Sequence, residues 1–349
     1  MKTKILDTTI RDGSYAVNFK FTRTDVRNVV SRLSKLNIEY VEIGHGMGLN
    51  ASSPERGVSL YSDDEYIRVA KECVGKSKLG VFCIPGIARL EDIQNARLQG
   101  IDFIRIGVTA QNVDKAVPYI QYAKELGLIV MVNFMKSYAA SPEEFAKSCL
   151  TAHQHGADFV YLVDSAGYML PEEIEIFYNA AKGLCDDVQL GFHGHNNMGL
   201  GVANALKCVE LGFALVDCSF QGLGRSIGNV PTEMFVMAVQ RKYGENSISI
   251  DIPRLLEYGY VVLKDITDRT LNNPLELICG YTGFHSSFLK DIFACCRDNN
   301  VDPLRLIIAY TKINKTDIDY NKLSEIAKTL PADKFNEHPY NFRQYFNNY

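Results

Sequence analysis

The chain has no run of about eighteen apolar residues, the length that crosses a bilayer as a helix, so no membrane span is expected. It has no long basic run either. Lys and Arg number 37 against 41 Asp and Glu, a net charge of −4, which argues against nucleic acid or an anionic membrane as a partner. None of the nine cysteines forms a Cys-x-x-Cys pair, and nine is odd. The expectation is buried free thiols in a reducing cytoplasm rather than a disulfide framework. After Met1-Lys2-Thr3-Lys4 only Ile5 and Leu6 precede Asp7, too short for the apolar core of a secretory signal.

What the chain does have is length and apolar content. Its 349 residues exceed the roughly 250 of an eight-fold barrel, and a hydrophobic share of 46% is enough to bury a large core. Short apolar, β-branched runs recur at 4–6, 40–44, 79–84, 103–108, 129–133, 159–163, 189–192 and 215–219. Runs apolar on both faces suit strands of a buried parallel sheet. Amphipathic segments lie between them at 24–36, 64–73, 114–126, 142–155, 171–184 and 201–211. Several units share an entry phrase, as in Gln99-Gly100-Ile101-Asp102-Phe103 and His155-Gly156-Ala157-Asp158-Phe159, where the Gly ends a helix and releases the chain into a strand. Alternating strands and helices predict an α/β fold with parallel pairing. Polar residues follow nearly every strand, which favours a closed (β/α)8 TIM barrel over an open sheet with one switch point. After Lys242 no strand is evident. Helices are predicted at 254–266, 284–297 and 303–311, and the end, 333–349, has weak periodicity. The domains read as a barrel at 1–251 and a helical C-terminal extension at 252–349.

The active site of such a barrel lies at the C-terminal ends of its strands. Arg11 and Asp12 follow the first run, Glu42 and His45 the second. Asn133 ends the fifth, Asp164-Ser165 the sixth, and His193-Gly194-His195-Asn196-Asn197 the seventh. Two residues apart on a strand, the imidazoles of His193 and His195 point to one side. Neutral imidazoles with a carboxylate suit a borderline divalent ion such as Mn, Co, Fe or Zn, or Mg if oxygens dominate. A pair of core histidines bonded to backbone is the alternative. His153 and His155 have the same spacing on a predicted helix, where i and i+2 diverge, so they are read as surface or packing residues. Asp12 offers an anionic ligand and Arg11 a charge for a substrate oxygen, unless the two form a solvated pair. Gly222, Gly224 and Gly228 make a loop after the eighth run, with no Gly-Lys-Ser/Thr to mark a phosphate site. Asn229 at its end is a candidate for helping hold the metal.

Thr9-Ile10-Arg11-Asp12-Gly13, Gly44-His45-Gly46-Met47-Gly48-Leu49, Asp164-Ser165-Ala166-Gly167, His193-Gly194-His195-Asn196-Asn197 and Gly222-Leu223-Gly224 with Gly228-Asn229 stand in the same order as in the DRE-TIM metallolyases. Within that superfamily the chain most resembles the 4-hydroxy-2-oxovalerate aldolases, over about residues 3–295. The resemblance implies a divalent metal on Asp12, His193 and His195, with Mn2+ first and Mg2+, Co2+ or Zn2+ as alternatives. It implies retro-aldol cleavage of a 2-oxo acid to a pyruvate enolate and an aldehyde, with Arg11 helping to stabilise the enolate and Ser165 near the substrate carboxylate. His45 and Asn133 are further candidates for binding substrate. An acylating aldehyde dehydrogenase docked on the C-terminal helices, and a homo-oligomer, are the implied partners.

Two positions depart from the aldolases. They place a catalytic His two residues after Arg-Asp-Gly, where this chain has Tyr15, and a Tyr before Ser-Ser-Phe-Leu, where it has His285. The two side chains look exchanged, so His285 is expected to be the base and Tyr15 to orient it. Two other readings compete. One is a Claisen-type enzyme using an acyl-CoA, against which the stretch from Leu223 to Asn229 lacks the Cys of the CoA-ester lyases. The other is a metal-binding subunit that only supports a partner.

Overall fold

The computed structural model describes residues 3–333; the weakly periodic tail lies outside them apart from Asp333. Eight strands appear in the expected order: β1 (Lys4–Asp7), β2 (Tyr40–Ile43), β3 (Lys78–Cys83), β4 (Phe103–Val108), β5 (Ile129–Phe134), β6 (Phe159–Asp164), β7 (Leu190–Gly194) and β8 (Leu215–Cys218). Each pairs in parallel with the next, and β8 closes on β1 in the register Lys4↔Leu215 to Asp7↔Cys218, giving a closed barrel.

Around the wall run α1 (Arg23–Lys35), α2 (Asp63–Lys71), α3 (Leu90–Leu98), α4 (Val113–Glu125), α5 (Pro142–Gln154), α6 (Pro171–Leu184), α7 (Gly201–Leu211) and α8 (Thr232–Tyr243). Their starts are written locally. Thr22 with Asp25 and Ser141 with Glu144 form reciprocal capping boxes, and Pro142 opens α5 with a fixed φ and no wasted N–H. Their ends are too. Gly100, Gly156 and Gly212 adopt φ of +97°, +106° and +90°, the left-handed conformation that a side chain resists. The helix α3 went unread in the sequence because only Ile93 and Ala96 of it are buried, too few to print a helical period.

Strand alternation organises the interior into layers. Leu6, Tyr40, Phe103, Met131, Tyr161 and Leu215 fill one layer as a buried apolar cluster. Two residues further along four of those strands stand Glu42, Arg105, Asn133 and Asp217, also buried. The same periodicity that builds a dry plug at one level therefore delivers charged side chains at the next, toward the strand ends.

Contacts divide the chain into two compact units, 1–239 and 240–349, so the division falls inside α8 rather than at 251/252 as read from the sequence. The sequence boundary followed the loss of strand signal, whereas the contacts change partners within the helix Thr232–Tyr243. The second unit contains α9 (Ile252–Leu263), α10 (Pro274–Thr282), α11 (Leu289–Asn299), α12 (Pro303–Thr311) and α13 (Tyr320–Thr329), with no strand among its described residues. Leu275, Ile278, Leu289, Ile292, Leu304, Ile307 and Leu323 are among its buried apolar residues. No helix of the described residues is long and apolar enough to cross a membrane.

Candidate active site

Asp12 begins a short 3-10 helix, Asp12–Val17, where its N–H bonds to the Thr8 carbonyl at 2.9 Å just past β1. His193 is the second-last residue of β7, and His195 lies just beyond the strand. The carboxylate and the two imidazoles bring one donor atom each within 4.8 Å of one another, all three residues being buried. Gly194 between the histidines leaves room: a Cβ there would sit 2.5 Å from the Phe192 ring.

Each donor is prepared in its surroundings. The Asp217 carboxylate accepts from His193 Nδ1 at 2.8 Å, and the Gly228 carbonyl accepts from His195 Nδ1 at 3.3 Å. Both partners are acceptors, so both rings donate from Nδ1, which leaves Nε2 as the nitrogen for a metal. Burial, with His193 adding to it, lowers the His195 imidazole to about 4, which leaves it neutral near pH 7. Burial pushes the Asp12 carboxyl up, but the adjoining Arg11 guanidinium, His193, His195 and the Arg225 N–H together outweigh it and hold the group well below the usual carboxylate range. Asn229, bridged to His195 across an isolated β-bridge, is 2% exposed, and its Oδ1 has no hydrogen-bond partner. An ionised carboxylate, two imidazoles and an unanswered amide oxygen fit a divalent cation.

Behind the donors lies a buried ionic chain. Arg11 Nε donates to Glu42 Oε2 at 2.7 Å and its NH1 to Asp12 Oδ1 at 2.7 Å. Arg105, wholly buried, donates to the same Glu42 oxygen at 2.9 Å, to Asp217 Oδ2 at 2.6 Å and to Asn133 Oδ1 at 3.2 Å. Its guanidinium sits 4.4 Å from the centre of the Tyr161 ring. Burial raises the Asp217 carboxyl, but Arg105 and His193 together more than offset this and the group is lowered. The sequence reading missed Arg105 and Asp217. The signal was there: a charged residue inside the otherwise apolar runs Phe-Ile-Arg-Ile-Gly-Val and Leu-Val-Asp-Cys costs several kcal/mol unless it is paired.

The remaining candidates fall in different places. Asn133 holds Arg105, as above. The Ser165 hydroxyl, just past β6, accepts from the Lys136 N–H at 3.0 Å. His45 has both ring nitrogens on backbone, Nδ1 accepting from Met47 N–H at 3.1 Å and Nε2 meeting the Gly57 carbonyl at 3.0 Å, and its ring stacks on Phe19 at 4.2 Å. Tyr15 is half-buried, packed edge-on against Phe19 with Gly46 close beneath its ring; burial raises its hydroxyl, while the nearby Arg11 opposes that. His285 belongs to the second unit, where it is exposed and caps a short 3-10 helix by accepting from Ser287 N–H at 3.2 Å. His153 and His155 stand at the end of α5, outside the metal-donor group, as their helical spacing implied.

A protein-family profile described as HMGL-like matches residues 2–262. The 4-hydroxy-2-oxovalerate aldolase of Geobacillus genomosp. 3 is 34% identical over 332 residues, 95% of this chain and 98% of that protein. The oxaloacetate decarboxylase of Mycobacterium tuberculosis is 36% identical over 297 residues, 84% of this chain and 86% of that one. The HMG-CoA lyase of Brucella melitensis superposes with a TM-score of 0.64 at 19% identity, over 76% of this chain and 99% of that one, a likeness of fold. With the profile spanning the barrel and such relatives matching most of the chain, this protein belongs to the HMGL-like family of DRE-TIM metallolyases and is a metal-dependent aldolase, a carbon–carbon lyase.

Proposed function

We propose that the enzyme breaks and forms the C3–C4 bond of a 4-hydroxy-2-oxo acid, with pyruvate as one half and an aldehyde as the other. The observation that carries this reading is the sharing of Asp12, which takes the Arg11 guanidinium on one oxygen and belongs to the donor set of His193 and His195. A divalent ion held there supplies Lewis acidity to the carboxylate and keto oxygens of the 2-oxo acid, with Mn2+ first and Mg2+, Co2+ or Zn2+ as alternatives. Asn229 joins the donors in this proposal on the strength of its unpartnered Oδ1.

Arg11, already fixed by Glu42, faces the negative charge that grows on the keto oxygen as the C3–C4 electron pair passes to C3. A donor fixed beforehand needs no reorganisation when the charge appears. Ser165 contacts the substrate carboxylate. Asn133 acts by holding Arg105, and His45 by fixing the 45–57 loop to which both its ring nitrogens bond. By the exchange of His and Tyr between two motif positions, the family resemblance gives His285 the role of base toward the C4 hydroxyl and Tyr15 the orienting role. His285→Ala is then expected to lower kcat about 10²-fold or more at unchanged metal content, measured by turnover and metal analysis.

Exchange of the pyruvate C3 protons in deuterated water tests the core of the reading. Metal-replete protein exchanges them, and chelator-stripped protein does not. Absence of exchange with every divalent metal would overturn it. The relative named oxaloacetate decarboxylase supports a second reading on the same site, in which carbon dioxide replaces the aldehyde as the departing half. Pyruvate release from oxaloacetate, set against release from 4-hydroxy-2-oxo acids, separates the two. The nine free cysteines support a reducing compartment such as the cytoplasm. Docking of an acylating aldehyde dehydrogenase on the second unit's helices, and self-association, rest on the family resemblance.

A further inference from the structure

One charged group beside the donor set is left without a role in that chemistry. Arg225 lies in the loop after β8, and its backbone N–H donates to Asp12 Oδ2 at 3.1 Å. Its guanidinium stands 5.5 Å from the centre of the Tyr15 ring. The loop beneath it is fixed on both flanks. Ser226 accepts from Asn197 Nδ2 at 2.9 Å, Gly228 N–H bonds to the Arg225 carbonyl at 3.0 Å, and Asn196 N–H bonds to the Gly228 carbonyl at 2.9 Å. The side chain itself is exposed. The other two arginines of the region are answered, Arg11 by Asp12 and Glu42, Arg105 by Glu42 and Asp217. Arg225 forms no ion pair among the described residues.

We propose that Arg225 receives a second carboxylate, carried on the half of the substrate that departs as the carbonyl compound, so that the site selects dianionic 2-oxo acids. The inference rests on the enolate reading above and names its substrate class. Charge balance supports it. Asp12 answers one charge of a divalent ion, and one substrate carboxylate answers the other. A monoanionic substrate then leaves Arg225 unmatched at the mouth, whereas a dianion meets it. Geometry supports it as well. A guanidinium resting on an aromatic face keeps its in-plane N–H donors free, and that fork matches a carboxylate in bidentate fashion. The charge of Arg225 also reaches the hydroxyl of Tyr138, whose ring packs 5.7 Å from that of Tyr168, so aromatic rings stand near the guanidinium.

The chemistry balances without a further reactant. In cleavage the C4 hydroxyl loses its proton to the base and becomes a carbonyl bearing the second carboxylate. The C3–C4 pair passes to C3, and C3 then takes a proton to give pyruvate.

Calorimetric titration of the Mn2+-loaded full chain with 2-oxoglutarate and 2-oxovalerate tests this, because the two ligands share a chain length and differ by a terminal carboxylate. The wild-type protein is expected to bind the dianion about tenfold to hundredfold more tightly, the worth of one hydrogen-bonded charge. In Arg225→Ala and Arg225→Gln the ratio falls to about one, while Arg225→Lys keeps part of it. Both truncations retain the backbone N–H that holds Asp12, and thermal melts confirm that they fold. No preference in the wild type, or a preference that survives both truncations, overturns the proposal. The readout is equilibrium binding, so failure of the enolate reading shows separately, as absent proton exchange from pyruvate.

Discussion

Two levels of the barrel interior stand two residues apart on the same strands and differ in almost every physical respect. At one, Tyr40, Phe103, Met131 and Leu215 pack as a dry cluster. At the next, Glu42, Arg105, Asn133 and Asp217 form a hydrogen-bonded ionic chain with Arg11 and His193 at its ends. The apolar level stabilises by burial alone, and neighbours of similar volume can be exchanged there at modest cost. The polar level places charges in a low dielectric, where each is tolerable only while its partners stay in place. The contrast separates what holds the barrel together from what aims the site.

The largest expected effect comes from breaking that level in its middle. Arg105→Met leaves two buried carboxylates facing each other and should cost about 3–5 kcal/mol in urea unfolding. Phe103→Ala, one layer away, should cost a similar ~3–5 kcal/mol through the cavity it leaves. The two diverge on rescue. Replacing Glu42 and Asp217 by Leu in the Arg105→Met background should recover part of the stability, because the two facing carboxylates are gone while Arg11 keeps Asp12 as its partner. If the triple variant is no more stable than Arg105→Met, the ionic level is not the source of the loss.

A smaller effect is expected where the chain reaches the donors. Asp217→Asn keeps the shape but offers His193 an amide, which weakens control of its tautomer and basicity. Metal affinity should fall about tenfold to hundredfold, read by competition with a chromophoric chelator. Unchanged affinity would mean that His193 needs no such partner.

Much of this fold was legible because its signals are local. The helix starts at Pro142, Pro171 and Gly201 and the helix ends at Gly100, Gly156 and Gly212 are written in residues a few positions apart. The donor set was legible for the same reason, since His193 and His195 need only strand periodicity to face one way. Arg105 and Asp217 were not legible as a pair because they lie inside the strands and their pairing joins residues 112 positions apart. The role of His45 was equally hidden. Its partners Met47 and Gly57 lie on its own loop, and nothing in the sequence shows that loop folding back on it. Nothing in the sequence shows the Arg225 N–H on Asp12, 213 positions away.

The two-residue step between the apolar and charged levels constrains how such a chain can change length. One residue inserted or deleted ahead of Arg105 within β4 would turn the guanidinium outward among the helices and bring Ile104 or Ile106 into the ring of charges. The same insertion in the Gly222–Asn229 loop, past the end of β8, leaves every inward-facing wall residue in phase. Diversification of substrate in a barrel of this kind is therefore channelled to its rim, while the number of residues in each stave stays fixed.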